Sequence, residues 1–422
     1  MKWLCRQAKL RRSKTPPSKV SGGSTCARLC PQGYEGIHMD KEKTKMKRKY
    51  LMTPGPSPVP SFAREALSRE IIHHRTPEFR QILNEVNEGL KCVFCTKNPV
   101  LIFASSGTGA MQAAVNNFFS LGDKVVAVCG GKFGERWRDI AKSFGLDVVE
   151  MEVEWGAAPA IEDLRKILDA NKDVKGVFTT LCETSTATVY DIEAIGRVTK
   201  EKNLLLIVDA ISGLGQDKLF PDEWAVDVVV CGSQKGFMLP PGLSFLSLSR
   251  KAQDFMKNSN LPKYYFDLNK ALKSYEKEDT PYTPAVSLIV GLREVMSEIS
   301  KEGIEKRWER FKMMANAAGE AARALGLEIF SKRPSASLTA IISPPGIKSS
   351  DIVKTLRKEY GVSIAAGQDS IKDKIFRIAH MGWINEQDLI MCFSLLEKVL
   401  KDLGYKFKIG ASISRLQEVF YG

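Results

Sequence analysis

The chain has 422 residues, 44% hydrophobic and 26% charged, with a formal net charge of +13. That length suits one large α/β domain with a smaller companion, and the composition is that of a globular protein rather than a disordered or low-complexity one. The longest apolar runs, 204–208 and 226–231, are far too short to cross a membrane.

Residues 1–49 carry fourteen Lys/Arg and three acids, so eleven of the thirteen net positive charges lie there. The remaining 373 residues are nearly neutral, and no nucleic-acid partner is expected for the body. The first 49 residues are expected to be a basic, disordered extension. Residues 1–34 contain no acid and also suit an organellar transit peptide. Nine cysteines are present, several in strand-like runs, which suits a reducing, cytoplasmic compartment. Cys92 and Cys95 form a C-x-x-C with no second pair or nearby His, so packed thiols are expected there and no metal site.

Pro54, Pro56, Pro58 and Pro60 rule out regular helix or central strand in the next segment. Helical patterns start at about 61 and cover 78–94. Strand and helix then alternate. Strands are expected at 100–104, 124–129, 147–153, 176–180, 204–209 and 226–231, and helices at 108–119, 133–144, 161–169 and 192–202. Continuous apolar strands separated by amphipathic helices indicate a mostly parallel sheet covered on both faces. Residues 263–284 break the rhythm. A long helical pattern covers 287–325. A smaller α+β block follows, with strands at 338–342 and 375–378 and helices at 350–359 and 386–403. The expected domains are 50–290, opening with an extended segment over 50–70, then 291–405, with 406–422 as a tail.

Three local patterns carry chemistry. Val228-Val-Val-Cys-Gly-Ser-Gln-Lys235-Gly runs an apolar strand into a glycine-flanked lysine. Such an amine suits a crevice at the carboxyl edge of a parallel sheet, where desolvation frees its lone pair for Schiff-base chemistry. Alone, a lysine after a strand is an ordinary loop cation. Leu204-Leu-Leu-Ile-Val-Asp209 ends a buried strand on an acid, which could equally cap a helix. Ala104-Ser-Ser-Gly-Thr-Gly-Ala110 joins a strand to a helix and could hold an anion on free backbone N–H groups. Gln112 breaks the G-x-G-x-x-G pattern, which disfavours a nicotinamide site.

In this order, across residues 50–405, the three patterns resemble the fold-type-I pyridoxal-phosphate enzymes. The closer likeness is to class-V aminotransferases of the alanine–glyoxylate and serine–pyruvate kind. Gly232-Ser-Gln-Lys-Gly with Pro240-Pro-Gly is the most specific motif, and Pro54-Gly55-Pro-Ser looks like that family's start. The resemblance implies a large domain with a mostly parallel seven-stranded sheet and a smaller C-terminal α+β domain. It implies that Lys235 carries pyridoxal 5'-phosphate as a Schiff base and shuttles a proton, while Asp209 pairs with the pyridine nitrogen. Ser106, Gly107, Thr108 and Gln234 would hold the phosphate. Phe133 would stack on the ring, and Ser185 would sit near the ring hydroxyl and the substrate. Arg377 would clamp the substrate carboxylate with Gly55 alongside. Thr283 would reach the phosphate of a neighbouring subunit, which implies a homodimer with shared sites.

The implied reaction moves an amino group from a small L-amino acid, alanine or serine, to glyoxylate or pyruvate. Two departures stand out. Phe133 occupies a place where Trp is common, and Cys182-Glu-Thr-Ser-Thr-Ala187 ends without the usual glycine, which is expected to alter the pocket wall. The alternatives are a cysteine desulfurase or lyase on the same fold, which would need a stacked His and a mobile late Cys, and a non-catalytic partner subunit.

Overall fold

The computed structural model describes residues 48–422. The reading of the basic extension, apart from Arg48 and Lys49, lies outside the described residues. Seven strands build the main sheet: β1 (Val100–Phe103), β2 (Lys124–Cys129), β3 (Asp147–Glu152), β4 (Val174–Thr180), β5 (Leu205–Asp209), β6 (Val228–Gly232) and β7 (Ser244–Leu248). Their order is β1-β7-β6-β5-β4-β2-β3. Only β7 runs antiparallel to its neighbours, β1 and β6.

Alternation within the apolar strands explains why both faces are covered. Leu206, Val208, Val229 and Cys231 join one core with helices Pro77–Phe94 and Val286–Glu302. Leu205, Ile207, Val228 and Val230 join the other, with Ala110, Met111 and Val115 of helix Gly107–Phe118 and with Trp137. Successive residues of a strand point to opposite faces, so a strand buried on both sides must be apolar throughout. Each such aliphatic side chain contributes roughly 1.5–3 kcal/mol by leaving water.

Local signals fix the helix ends. Thr76 caps Pro77–Phe94 by accepting the Phe79 N–H, with Pro77 at the first position, and Cys95 closes the helix in the left-handed region at φ 50°. The single long helical pattern expected over 287–325 is two helices, Val286–Glu302 and Ile304–Ala324. Gly303 separates them at φ +80°, a conformation most other residues adopt only with strain.

A second, antiparallel sheet has the order β8 (Leu338–Ile342), β10 (Ile375–Ala379), β9 (Ala365–Ala366). It packs with helices Ile304–Ala324 and Glu386–Asp402 around a separate core. The segment expected to open the large domain is shared: Ala63 joins the main core with Val59, Phe62 and Leu67 against it, while its first residues partner this second block. Tyr50 and Leu51 pair in parallel with Val362 and Ser363, and Met52 is buried in the second core. The expected tail is corrected too: Ala411–Tyr421 is a helix with Leu416 buried. Glu397 holds its start, accepting from the N–H of Gly410 and from the N–H and hydroxyl of Ser412. No helix of the described residues is long and apolar enough to cross a membrane.

Candidate active site

The carboxyl ends of β1, β2, β4, β5 and β6 deliver their following residues to one edge of the sheet. Sheets of this kind leave a crevice there because the connections diverge to opposite faces. Ser106 follows β1, Phe133 follows β2, Ser185 follows β4, Asp209 ends β5, and Lys235 follows β6.

Lys235 is buried, and its amine donates to the carbonyl of Pro54. Burial drives its pKa from the usual lysine range down to about 8, with Asp209 opposing the shift. The loop around it is tied down from several sides. Ser57 donates its hydroxyl to the Lys235 carbonyl at 2.8 Å and its N–H to the Gln234 carbonyl at 2.9 Å. Ser233 donates its hydroxyl to Pro240 at 2.7 Å, which folds the Pro-Pro-Gly turn back. Gly55 lies so close that a methyl group there would collide with the Lys235 side chain, and its φ is +103°.

Asp209 is also buried. Its Oδ1 accepts the Ile211 N–H at 2.8 Å, and its Oδ2 accepts nothing among the described residues. Burial raises its pKa to about 7. Unsupported, this carboxylate is close to losing its charge. A cationic ring nitrogen against Oδ2 would restore it.

Ser106 starts helix Gly107–Phe118 with its side chain making no cap bond. The hydroxyl and the first helical N–H groups remain free for an anion. Thr108 is exposed beside them and accepts from Arg136 Nη1 at 3.3 Å. Gly107 packs where a side chain would strike Ile211. Gln234 lies close to Gly107, and its buried Oε1 has no partner.

The Phe133 ring carries the Arg136 guanidinium 4.7 Å from its centroid. Its N–H and that of Gly134 each donate to Glu183 Oε2 at 3.0 Å. Ser185 donates to Glu183 Oε1 at 2.5 Å and accepts the Lys132 N–H at 3.1 Å. Glu183 is fully buried at the start of helix Lys132–Ser143. Burial raises its pKa and these hydrogen bonds oppose the rise.

Arg377 stands on β10 and is 5% exposed. Its Nη1 donates to Thr184 O and its Nη2 to Ala366 O, both at 2.8 Å, and its buried Nε has no partner. Among the described residues no carboxylate pairs with it. Burial lowers its pKa to about 10, with Glu183 opposing, and its charge in turn helps lower that of Lys235. A buried, carboxylate-free guanidinium is costly unless an anion arrives.

Thr283 stands apart. It is exposed and lines a shallow cleft with Phe103, Ala104, Leu243 and Tyr265. Ala187, where a glycine is common, is fully buried in the second core and takes a glycine-like φ of +59°.

Sequence reasoning missed several supporting residues. Glu183, Arg136 and Arg307 received no role. Arg307, 1% exposed, donates to Gly236 O at 2.8 Å just after Lys235 and pairs with Glu302 at 2.8 Å. Among the described residues, the thiols that act on Lys235, Cys182 and Cys231, are buried, and the late cysteine is not mobile. Cys392 is buried within helix Glu386–Asp402 and its thiol is pushed up to about 12.

These groups fit a phosphorylated pyridine aldehyde. A desolvated amine, an unpartnered carboxylate oxygen, an aromatic face and free donors at a helix start stand at one sheet edge. The family described as Aminotransferase class-V matches residues 62–385. A protein of Synechococcus sp. named soluble hydrogenase, small subunit, is 40% identical over 375 residues, 87% of this chain and 97% of its own. The L-aspartate–glyoxylate aminotransferase of Paracoccus denitrificans is 35% identical over 376 residues, 87% of this chain and 95% of its own. The crystal structure of ureidoglycine–glyoxylate aminotransferase from Bacillus subtilis is similar with a TM-score of 0.85 at 27% identity, covering 89% of this chain and 98% of that one. The seven-stranded sheet, the residues gathered at its carboxyl edge and these likenesses together make the chain a member of the class-V aminotransferases, a pyridoxal-phosphate-dependent transaminase.

Proposed function

We propose that the enzyme moves the amino group of a small L-amino acid, alanine or serine, to glyoxylate or pyruvate. The observation that carries this reading is Arg377: a buried cation with, among the described residues, only two carbonyl partners and an open Nε, whose charge reaches Lys235. That fork accepts an α-carboxylate in two parallel bonds. Donor and acceptor both carry one, so they use the same clamp in turn, which gives ping-pong kinetics. Glyoxylate as acceptor is supported by the names of two of the relatives above.

Pyridoxal phosphate, when bound, supplies the electron sink for negative charge at the substrate α-carbon. Asp209 would hold a proton on the ring nitrogen with its unpartnered oxygen. Lys235 would hold the cofactor through Nζ and serve as the group that moves the proton at the substrate α-carbon. Ser106, Gly107, Thr108 and Gln234 would hold the phosphate, and Phe133 and Ser185 would hold the ring. Gly55 leaves room beside Lys235 for substrate. Thr283, exposed in a cleft shared with Tyr265, serves the neighbouring subunit of a homodimer. Six free cysteines among the described residues support a reducing compartment, the cytoplasm in this reading.

A second reading, an assembly subunit that retains the fold, is favoured by the hydrogenase name of one relative. One titration decides between them. L-alanine, L-serine and L-aspartate are added separately to the purified holoprotein while the cofactor absorbance is followed. Loss of the band with alanine or serine and its return with glyoxylate or pyruvate supports the proposal. A band that responds only to aspartate overturns the choice of donor. A band that no amino acid perturbs favours the subunit reading.

A further inference from the structure

Arg136 is a cation that the site leaves unexplained. It stands near the start of helix Lys132–Ser143, three residues after Phe133. Its Nη1 donates to the Thr108 hydroxyl at 3.3 Å, and its guanidinium lies 4.7 Å from the Phe133 ring centroid. Among the described residues no carboxylate pairs with it, although Arg138, two residues on, engages Asp139 at 2.8 Å and Glu150 at 3.1 Å. Its positive charge also reaches Asp209, where it opposes the rise in pKa that burial causes.

The phosphate end of the site is otherwise built from neutral groups. Ser106 and Thr108 offer hydroxyls, Gly107 offers backbone, and Gln234 an amide. A phosphate monoester carries close to two negative charges at neutral pH. A helix start supplies only about half a charge of compensation. Because Thr108 accepts from Arg136, its own hydroxyl proton is free to point at an anion. A guanidinium lying over an aromatic ring and bonded to that hydroxyl is held in place in advance, so little side-chain freedom is lost when the anion arrives.

We propose that Arg136 is a further cofactor-binding residue: it supplies the fixed positive charge at the phosphate end, acting through and beside Thr108 while braced on Phe133. This rests on the pyridoxal-phosphate reading above. It assigns the phosphate a charged partner from within the same chain.

The test compares the phosphorylated and unphosphorylated cofactor. Full-length protein is depleted of cofactor, and the affinities for pyridoxal phosphate and for pyridoxal are measured in the wild type and in Arg136→Met. The expected result is pyridoxal phosphate binding weakened by about tenfold or more, with pyridoxal changed by less than about twofold. Arg136→Lys is expected to recover most of the loss, because it restores a charge without the fork. Should the methionine variant not fold, Arg136→Gln replaces it. Equal weakening for both compounds would mean a scaffold role under Phe133 and would overturn the proposal. So would an unchanged affinity for pyridoxal phosphate. If the wild type binds neither compound, the pyridoxal-phosphate reading itself fails.

Discussion

The hydroxyl of Ser185 donates to the buried carboxylate of Glu183 at 2.5 Å. The other oxygen of that carboxylate accepts two backbone N–H groups at the start of helix Lys132–Ser143. One acid therefore positions Ser185 and Phe133 together. Glu183→Gln would turn an amide donor toward one of these donor pairs. Leaving such groups unmatched costs on the order of 1–3 kcal/mol. The variant is expected to lose stability of that size in denaturant unfolding and to bind pyridoxal phosphate more weakly. Unchanged values of both would show that Glu183 positions nothing.

Arg377→Ala is expected to lower kcat/KM for the amino donor by about a hundredfold or more, because a charge-assisted pair to the substrate carboxylate is lost. Cofactor content should stay near wild type. Steady-state kinetics with absorbance-based cofactor counting checks both. A loss of cofactor in parallel with activity would place Arg377 in a different role.

The ionisations of Lys235 and Asp209 give opposite pH signatures. Lys235 has its folded pKa depressed to about 8, so its reactive neutral amine appears well below the usual lysine range. The rate of cofactor capture by depleted protein should rise with pH through about 8, where an ordinary lysine would still be charged. Asp209 has its folded pKa raised to about 7. The folded protein then holds the proton that the unfolded chain has released, so this group lowers stability as pH rises from about 4 to about 7. Asp209→Asn removes that penalty. In cofactor-depleted protein the variant should gain stability over wild type across that window, by a few kcal/mol at most, on the order of 1.4 per pKa unit. A stability difference independent of pH would contradict this assignment.

Ala187 sits fully buried at φ +59° where glycine would be unstrained. Left-handed backbone costs a residue with a Cβ roughly 1–2 kcal/mol, partly offset by the greater unfolded freedom of glycine. Ala187→Gly should therefore raise the unfolding midpoint slightly, by about 0.5–1 kcal/mol in stability. A lower midpoint would mean that the Cβ contributes packing worth more than the strain.

Much of this was legible in the sequence because it is local. Continuous apolar runs announced the parallel strands, Asp209 ends its strand, and Lys235 comes three residues after its own. The seventh strand, Ser244–Leu248, was not located, because its serines interrupt the apolar run. In the fold those serines are buried, and Ser244 meets Ser105 at 2.7 Å. The break at Gly303 hid inside one amphipathic pattern. The terminal helix is short, and its apolar face, Ile413, Leu416, Val419 and Phe420, finds its partner only in the folded second core. Glu183, Arg136 and Arg307 were illegible for a common reason. Their partners lie up to 71 positions away, and only the folded chain brings each charge to its hydrogen-bond partners.

The most direct test of the central claim is to reduce the holoprotein with borohydride and map the cofactor by peptide mass analysis. A phosphopyridoxyl group on Lys235, absent from Lys235→Ala, is the expected result. Label on another lysine, or equal labelling of the variant, would contradict the assignment of the site.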